Sequence, residues 1–242
     1  MRVLVISDVH SNLEALNAVL AAAEDFGVIW SLGDIVGYGP QPNECIARLN
    51  EFEHVAIAGN HDWAVLGKLD LGDFNAYARH ANLWTRQQLT AQSLAYLEAL
   101  PETVVEGSFT MAHGSPRHPV WEYLFDPKTA KLSFAHYDTA ICLVGHTHVP
   151  IIFRDLADSN QCQLSLPLTG PAIDLDGGRY IANPGSVGQP RDRDPRAAYM
   201  LLDTEAKVCE QCRVGYNVAE TQRKVRLAGL PGRLGTRLAF GW

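Results

Sequence analysis

The chain opens on an apolar run without alternation, Arg2-Val3-Leu4-Val5-Ile6-Ser7, rich in β-branched residues. Such a run predicts a central strand buried on both faces. Helical spacing follows: Leu13, Leu16, Asn17, Leu20 and several alanines predict a helix from about Ser11 to Glu24. Val28–Leu32 and His54–Ala58 repeat the strand pattern. Between them Pro42 opens a helix whose apolar face is Cys45, Ile46 and Leu49. Residues 72–99 read as helical, with Phe74, Tyr77, Leu83, Trp84, Leu89, Leu94 and Leu97 as the buried stripe and Pro101 as the stop. Short strands near 102–106 and 108–112 form a hairpin at Gly107. A helix near Pro127–His136 then leads into a strand over Thr139–Val144. From Val149 the pattern turns antiparallel, with strands over Ile151–Arg154, Gln161–Leu166, Gly178–Ile181, Ala197–Leu202 and Lys207–Val214. Asp176-Gly177-Gly178 predicts a hairpin turn between two of these. A helix over Val218–Leu227 and a basic tail with Arg233 and Arg237 close the chain. No Gly-, Ser- or Pro-rich linker interrupts it, so residues 1–242 are expected to form one α/β domain.

Polar blocks punctuate this pattern at the strand ends. Asp8-Val9-His10 follows the first strand, and Gly33-Asp34 the second. Gly59-Asn60-His61-Asp62 follows the third; His113-Gly114-Ser115-Pro116 and Gly145-His146-Thr147-His148 follow two later ones. In extended chain, residues i and i+2 share a side, so Asp8 and His10 are expected to converge on one ion. Asp8 to Asn60 spans two equal steps of 26 residues with Asp34 at the midpoint, which is about one strand–helix–loop unit per step. Equivalent points of successive units land at the carboxyl edge of a parallel sheet, where open α/β sheets build their sites. The Gly-Asn-His-Asp block offers an oxygen ligand in Asn60, a proton donor in His61 and a carboxylate, Asp62, to hold that donor's orientation. Mixed Asp, His and Asn ligation suits Mn²⁺, Fe or Zn²⁺ better than Ca²⁺ or Mg²⁺.

A net charge of −7 argues against a sequence-blind nucleic-acid or anionic-membrane binder, although two dications would make a pocket locally positive. The apolar N-terminal run is too short for a signal-peptide core, and no run approaches the ~18 residues of a membrane span. Five scattered cysteines do not make a disulfide framework, so a cytoplasmic protein is expected. Cys209 and Cys212 have CxxC spacing, but on a strand they point to opposite faces and read as structural.

Asp-x-His, Gly-Asp, Gly-Asn-His-Asp, a single His and Gly-His-Thr-His, in this order from Asp8 to His148, resemble the calcineurin-like metallophosphoesterase superfamily. The strings Leu32–Pro40 and Asn183–Arg191 resemble its small, single-domain bacterial and archaeal phosphodiesterase branch. The resemblance implies a four-layer αββα sandwich of two mixed sheets flanked by helices. It also implies two divalent ions, Mn²⁺ first among Fe, Zn²⁺ and Ni²⁺. Asp8, His10, Asp34 and His148 would hold one ion; Asp34, Asn60, His113 and His146 would hold the other, with Asp34 bridging. A hydroxide shared by the ions would attack a small phosphoester, and His61, which in the family is not a ligand, would protonate the leaving group. Protein phosphatases of the superfamily carry an Asp-Arg clamp where this chain has Val36-Gly37-Tyr38. Arg191, Arg193 and Arg117 are the candidate replacements, His118 beside the His113 loop could face the pocket, and Tyr38 and Trp63 could line it. The expected partner is therefore a small or nucleotide-like phosphodiester, without a stable nucleic-acid complex. A dinucleoside polyphosphate hydrolase and a non-catalytic scaffold are the alternatives.

Overall fold

The computed structural model describes residues 1–157 and 159–242. The first half alternates as the periodicity predicts: β1 (Arg2–Ile6), α1 (Leu13–Ala22), β2 (Val28–Ser31), α2 (Pro42–Leu49) and β3 (His54–Ala56). Local chemistry sets these boundaries. Asn12 caps α1 by accepting the Ala15 N–H, and Pro42 stands in the first turn of α2, where its missing donor costs nothing. Then come α3 (Asn60–Leu66), α4 (Ala76–Gln88), α5 (Ala91–Ala99), β4 (Thr103–Glu106), β5 (Phe109–Ala112), α6 (Pro127–Ser133) and β6 (Ile141–Leu143). The rest comprises β7 (Pro150–Leu156), β8 (Gln161–Ser165), β9 (Ala172–Asp174), β10 (Tyr180–Pro184), β11 (Ala197–Asp203), β12 (Val208–Val214), α7 (Val218–Leu227) and α8 (Gly232–Thr236).

Two six-stranded mixed sheets result, ordered β3-β2-β1-β11-β12-β9 and β4-β5-β6-β10-β7-β8. Strands β1, β2 and β3 run parallel, as do β5, β6 and β10. A shared core of Val3, Val5, Trp30, Phe109, Met111, Leu143, Tyr180 and Met200 lies between the sheets. The outer face of the first sheet packs Leu4, Ile6 and Ile29 against Leu16, Val19 and Leu49. That of the second packs Val144 and Phe153 against Ala130 and Phe134. The layers are α, β, β, α, as expected. Cys209 and Cys212 bury on opposite faces of β12, one in each core, and both thiols are free.

Three expectations need correction. Asp176-Gly177-Gly178 does not close a hairpin: β9 pairs with β12 in one sheet, while β10 lies in the other. The chain crosses between layers there, and β10 joins β6 in parallel, so the second half is not purely antiparallel. The stripe over 72–99 is also different. Tyr77 and Leu83 are exposed, and the buried face of α4 is Ala78, Ala81, Asn82 and Thr85. Small residues let α4 approach Tyr38 closely, and two polar groups, Asn82 and Thr85, are buried with them. His61 and Asp62 stand in the first turn of α3, just past β3.

Candidate metal centre

The parallel strands of both sheets deliver their carboxyl ends to one rim. Asp8 and His10 follow β1, Asp34 follows β2, Asn60 starts the helix after β3, His113 follows β5, and His146 and His148 follow β6. All seven are buried. Asp8, His10 and His148 form one triad whose ligand atoms lie within 4.8 Å of one another, and Asp34, His113 and His146 form a second. Asp34 Oδ2 stands between the two, 3.6 Å from His10 Nε2 and 3.3 Å from His113 Nε2. Asn60 Oδ1 is 3.2 Å from His113 Nε2. The sequence reading thus named the residues that meet. Its reason for Asp8 and His10 was wrong, however. The strand ends at Ile6, and both residues adopt left-handed backbone, φ 54° and 48°. Asp34, His146 and His148 do the same. Left-handed non-glycine residues cost about 1–3 kcal/mol each and cluster where function over-determines the backbone.

The donor set is built for cations. The Nδ1–H groups of His10, His113 and His148 donate to the carbonyls of Val36, Leu32 and Gln189 at 3.1, 2.7 and 2.6 Å. That fixes each ring's orientation and turns its Nε2 inward, toward the carboxylates. His10 Nε2 and His148 Nε2 consequently face each other at 3.2 Å, two acceptors with no proton to share. His146 Nε2 and Asp8 Oδ1 are buried without a hydrogen-bond partner. Burial holds His10, His146 and His148 well below the ordinary imidazole range, so these rings are neutral at neutral pH. Burial alone would raise Asp34, but the His113 and His61 rings outweigh it and hold that carboxyl well below the carboxylate range. A divalent ion in each triad fits these residues.

The remaining site candidates divide. His61 also reaches the Asp34 and His10 ligand atoms, and its backbone N–H donates to Asp34 Oδ1 at 2.8 Å. Asp62 does not hold the His61 ring. Its carboxylate accepts the backbone N–H groups of Gly59, Ile35 and Val36 at 2.9, 3.3 and 3.1 Å, tying α3 to the Asp34 loop. It is committed to the backbone because it caps the helix it sits in. The ring's partner is Asn82, whose Oδ1 accepts from His61 Nδ1 at 2.8 Å. Gly59 is required beside it, because a Cβ there would collide with the Asp34 carboxylate.

Arg191 lies at the site. Its guanidinium sits 5.7 Å from the centroid of Tyr38, which in turn packs 4.8 Å from His10 and 4.4 Å from His61. Its charge acts on Asp8, His10, His61, His146 and His148. Arg117 is instead spent on Glu122, which it grips through two nitrogens, and His118 is exposed beside that pair. Neither is brought to the cradle. Arg193 is exposed, and Trp63 lies under Lys68. Besides Asn82, sequence reasoning missed an aromatic wall: Tyr123 stacks on His146 at 3.9 Å, and Phe74 bridges His61 and Trp121 at 5.2 and 5.0 Å. It also missed the work of the Asn183–Gln189 segment. Asn183 donates to the Gly145 carbonyl and Thr147, and Ser186 to the Asp8 carbonyl. No helix among the described residues is long and apolar enough to cross a membrane.

Comparison with known proteins agrees with this geometry. The calcineurin-like phosphoesterase superfamily domain matches residues 1–207. An uncharacterized protein of Methanocaldococcus jannaschii is 40% identical over 244 residues, covering 98% of this chain and 97% of its own. Phosphodiesterase YfcE of Escherichia coli K12 is 25% identical over 217 residues, 85% of this chain and 89% of that protein. A crystal structure of a metallophosphoesterase from Sphaerobacter thermophilus superposes with a TM-score of 0.92 at 50% identity, covering 100% of this chain and 99% of that one.

Proposed function

The chain belongs to the calcineurin-like phosphoesterase superfamily and is a metal-dependent phosphoester hydrolase, and from that premise we propose that it cleaves small or nucleotide-like phosphodiesters with His61 as general acid. One observation supports the reading above the rest: His61 stands beside two ion triads with one ring nitrogen tied to Asn82 and its backbone tied to Asp34. Asp8, His10, Asp34 and His148 would hold one ion, Asp34, Asn60, His113 and His146 the other, and manganese suits these donors. Such ions supply a hydroxide nucleophile at neutral pH and neutralise the phosphoryl oxygens.

The protein's own groups do the rest. Asn82 Oδ1 holds the Nδ1–H, so in the imidazolium form the second proton sits on Nε2 and is the one that passes to the departing alkoxide, leaving the neutral Nδ1–H ring, help worth about 10²–10⁴-fold. Arg191, stacked on Tyr38, takes the place of the missing Asp-Arg clamp and holds a non-bridging oxygen. Asp62 positions the helix start that carries His61. The five free, buried cysteines are in keeping with a reducing, cytoplasmic setting, and residues 1–242 with one domain.

The test reconstitutes metal-free protein with Mn²⁺, Zn²⁺, Fe²⁺ and Ni²⁺ and assays bis(p-nitrophenyl) phosphate, alkyl phosphodiesters and a dinucleoside polyphosphate. Turnover of diesters that His61→Ala weakens most for poor leaving groups supports the proposal. Turnover of the anhydride alone, indifferent to His61→Ala, would point to a phosphoanhydride hydrolase instead. No turnover with any metal would overturn both.

A further inference from the structure

The loop between β5 and α6 carries aromatic residues that the chemistry above leaves without work. Trp121, Tyr123 and Phe125 alternate along it with Glu122 and Leu124. Leu124 is buried in the core under α6, whereas Tyr123 and Phe125 are 45% and 51% exposed. Tyr123 lays its ring on that of His146, 3.9 Å between centroids and 20° between planes. Phe125 lies nearly parallel to Tyr123, at 5.6 Å and 12°. In the other direction Trp121 stands 6.2 Å from His146, and Phe74 joins Trp121 to His61 at 5.0 and 5.2 Å. A continuous aromatic surface therefore runs from His61, past the second ion triad, and out to solvent.

The loop that presents it is tied down. Glu122 accepts from Ser115 Oγ at 2.8 Å and from Arg117 Nε at 3.1 Å. Ser115 Oγ in turn accepts the N–H groups of Arg117 and His118 at 3.2 and 2.9 Å. At Gly114 a Cβ would press on the backbone of Trp121 and Glu122 at about 3.0 Å, so only glycine lets the two ends of the loop close. Arg117, which does not reach the cradle, thus holds the rings in place. A single exposed aromatic side chain is ordinary. Two that continue the stack of a ligand ring, on a loop fixed in advance, offer open faces to whatever the ions hold, at little cost in side-chain ordering.

We propose that Tyr123 and Phe125 are specificity residues that stack a planar aromatic ring, a nucleobase or an aryl group, carried by the phosphoester. This rests on the phosphodiesterase reading above and narrows its substrate from any small diester to one with an aromatic substituent. The phosphoryl oxygens go to the ions and Arg191, and the ring extends along Tyr123 and Phe125. Stacking of this kind recognises a flat ring and tolerates any base, because every base has a π-face.

Calorimetry on the manganese-loaded protein tests it with two pairs of probes: adenosine 5′-phosphate against ribose 5-phosphate, and phenylphosphonate against cyclohexylphosphonate. In at least one pair the aromatic member is expected to bind about tenfold or more tightly, the gain of one stacked ring. A preference in the first pair identifies a base reached across a sugar, and one in the second a ring beside the phosphorus. Tyr123→Leu and Phe125→Leu are expected to bring the ratio near unity, and Tyr123→Phe to keep it. Tyr77→Leu, which removes an equally exposed ring on α4, should leave the ratio in place. Phe125 is one ring removed from His146, so Phe125→Leu decides if Tyr123→Leu loses metal by elemental analysis. Ratios near unity in both pairs, no measurable binding of any probe, or a preference untouched by Phe125→Leu would overturn the platform. Turnover of bis(p-nitrophenyl) phosphate is read separately. No turnover beside a clear aromatic preference sinks the phosphodiesterase reading and leaves the platform; turnover without that preference sinks the platform alone.

Discussion

The ion cradle and the arginines outside it are built in opposite ways. In the cradle, every side chain is buried, each of three rings is wired to a backbone carbonyl, and five residues hold left-handed backbone. Outside it, Arg191 and Arg237 are partly exposed and are held by stacking and single hydrogen bonds. The cradle must hold its geometry within narrow limits for two ions that do not change, so strain and desolvation are accepted there. If Arg191 holds substrate as proposed, that side must receive and release it on every turnover. The buried side is rigid, and the charge beside it is adaptable.

The largest way to break this contrast is at the shared carboxylate. Asp34→Asn removes the charge that lies between both triads and accepts the His61 N–H. It is expected to lower kcat/KM by about 10³-fold or more and to reduce bound metal, measured by elemental analysis. Retention of both ions with near-normal activity would place the bridge elsewhere.

His61→Ala separates the acid from the cradle. It should retain both ions while kcat on alkyl diesters falls by about 10²–10⁴-fold, with a smaller loss on p-nitrophenyl esters, whose leaving group needs less help. Loss of metal content would make His61 a ligand. Asn82→Leu tests the positioning partner at similar volume. A fall in kcat of about 10–100-fold with unchanged KM is expected, together with a weaker dependence on leaving-group pKa. A fall in stability alone, with kcat intact, would reduce Asn82 to a packing residue.

The smallest effect is in pH, and it sharpens the contrast because only the cradle shows it. In the metal-free protein burial lowers His113, but Asp34 outweighs it and raises the ring from 6.5 to about 9. The folded state then binds this proton more tightly than the unfolded chain. Stability from the pair is full below about 6.5 and is lost as pH rises through about 9. Asp8, raised by burial to about 7, has the same sign at lower pH. His10, His146 and His148, buried neutral, act oppositely, but only below their ordinary value of 6.5. Between pH 7 and 9 the metal-free protein should therefore melt at falling temperature, while the metal-loaded protein should not, since ions displace that proton. An equal slope in both forms would argue against His113 as a ligand.

The cradle was legible in the sequence because its residues sit in short distinctive blocks where apolar strands end, and equal spacing tied the blocks to one topology. The reason offered for Asp8 and His10 failed, since left-handed backbone beyond the strand, and no strand alternation, turns them together. The surroundings of the cradle were harder to read. Asn82 lies 21 residues from His61 on a helix whose aromatics suggested a different buried face. A polar residue recurring with Ala78, Ala81 and Thr85 was the one signal available. Asp62 misled for a physical reason: a carboxylate three residues after a helix start serves the backbone first. The tail looked merely basic, and its apolar residues Leu234 and Leu238, which line a cavity with Tyr38 and Gln189, are what tie it to the rim.

The pairing of ions at Asp34 is tested most directly by anomalous diffraction at the manganese edge from crystals of the reconstituted protein. Two peaks are expected, one among Asp8, His10 and His148, the other among Asn60, His113 and His146, both touching the Asp34 carboxylate. A single peak, or two that leave Asp34 unligated, would contradict the dinuclear centre.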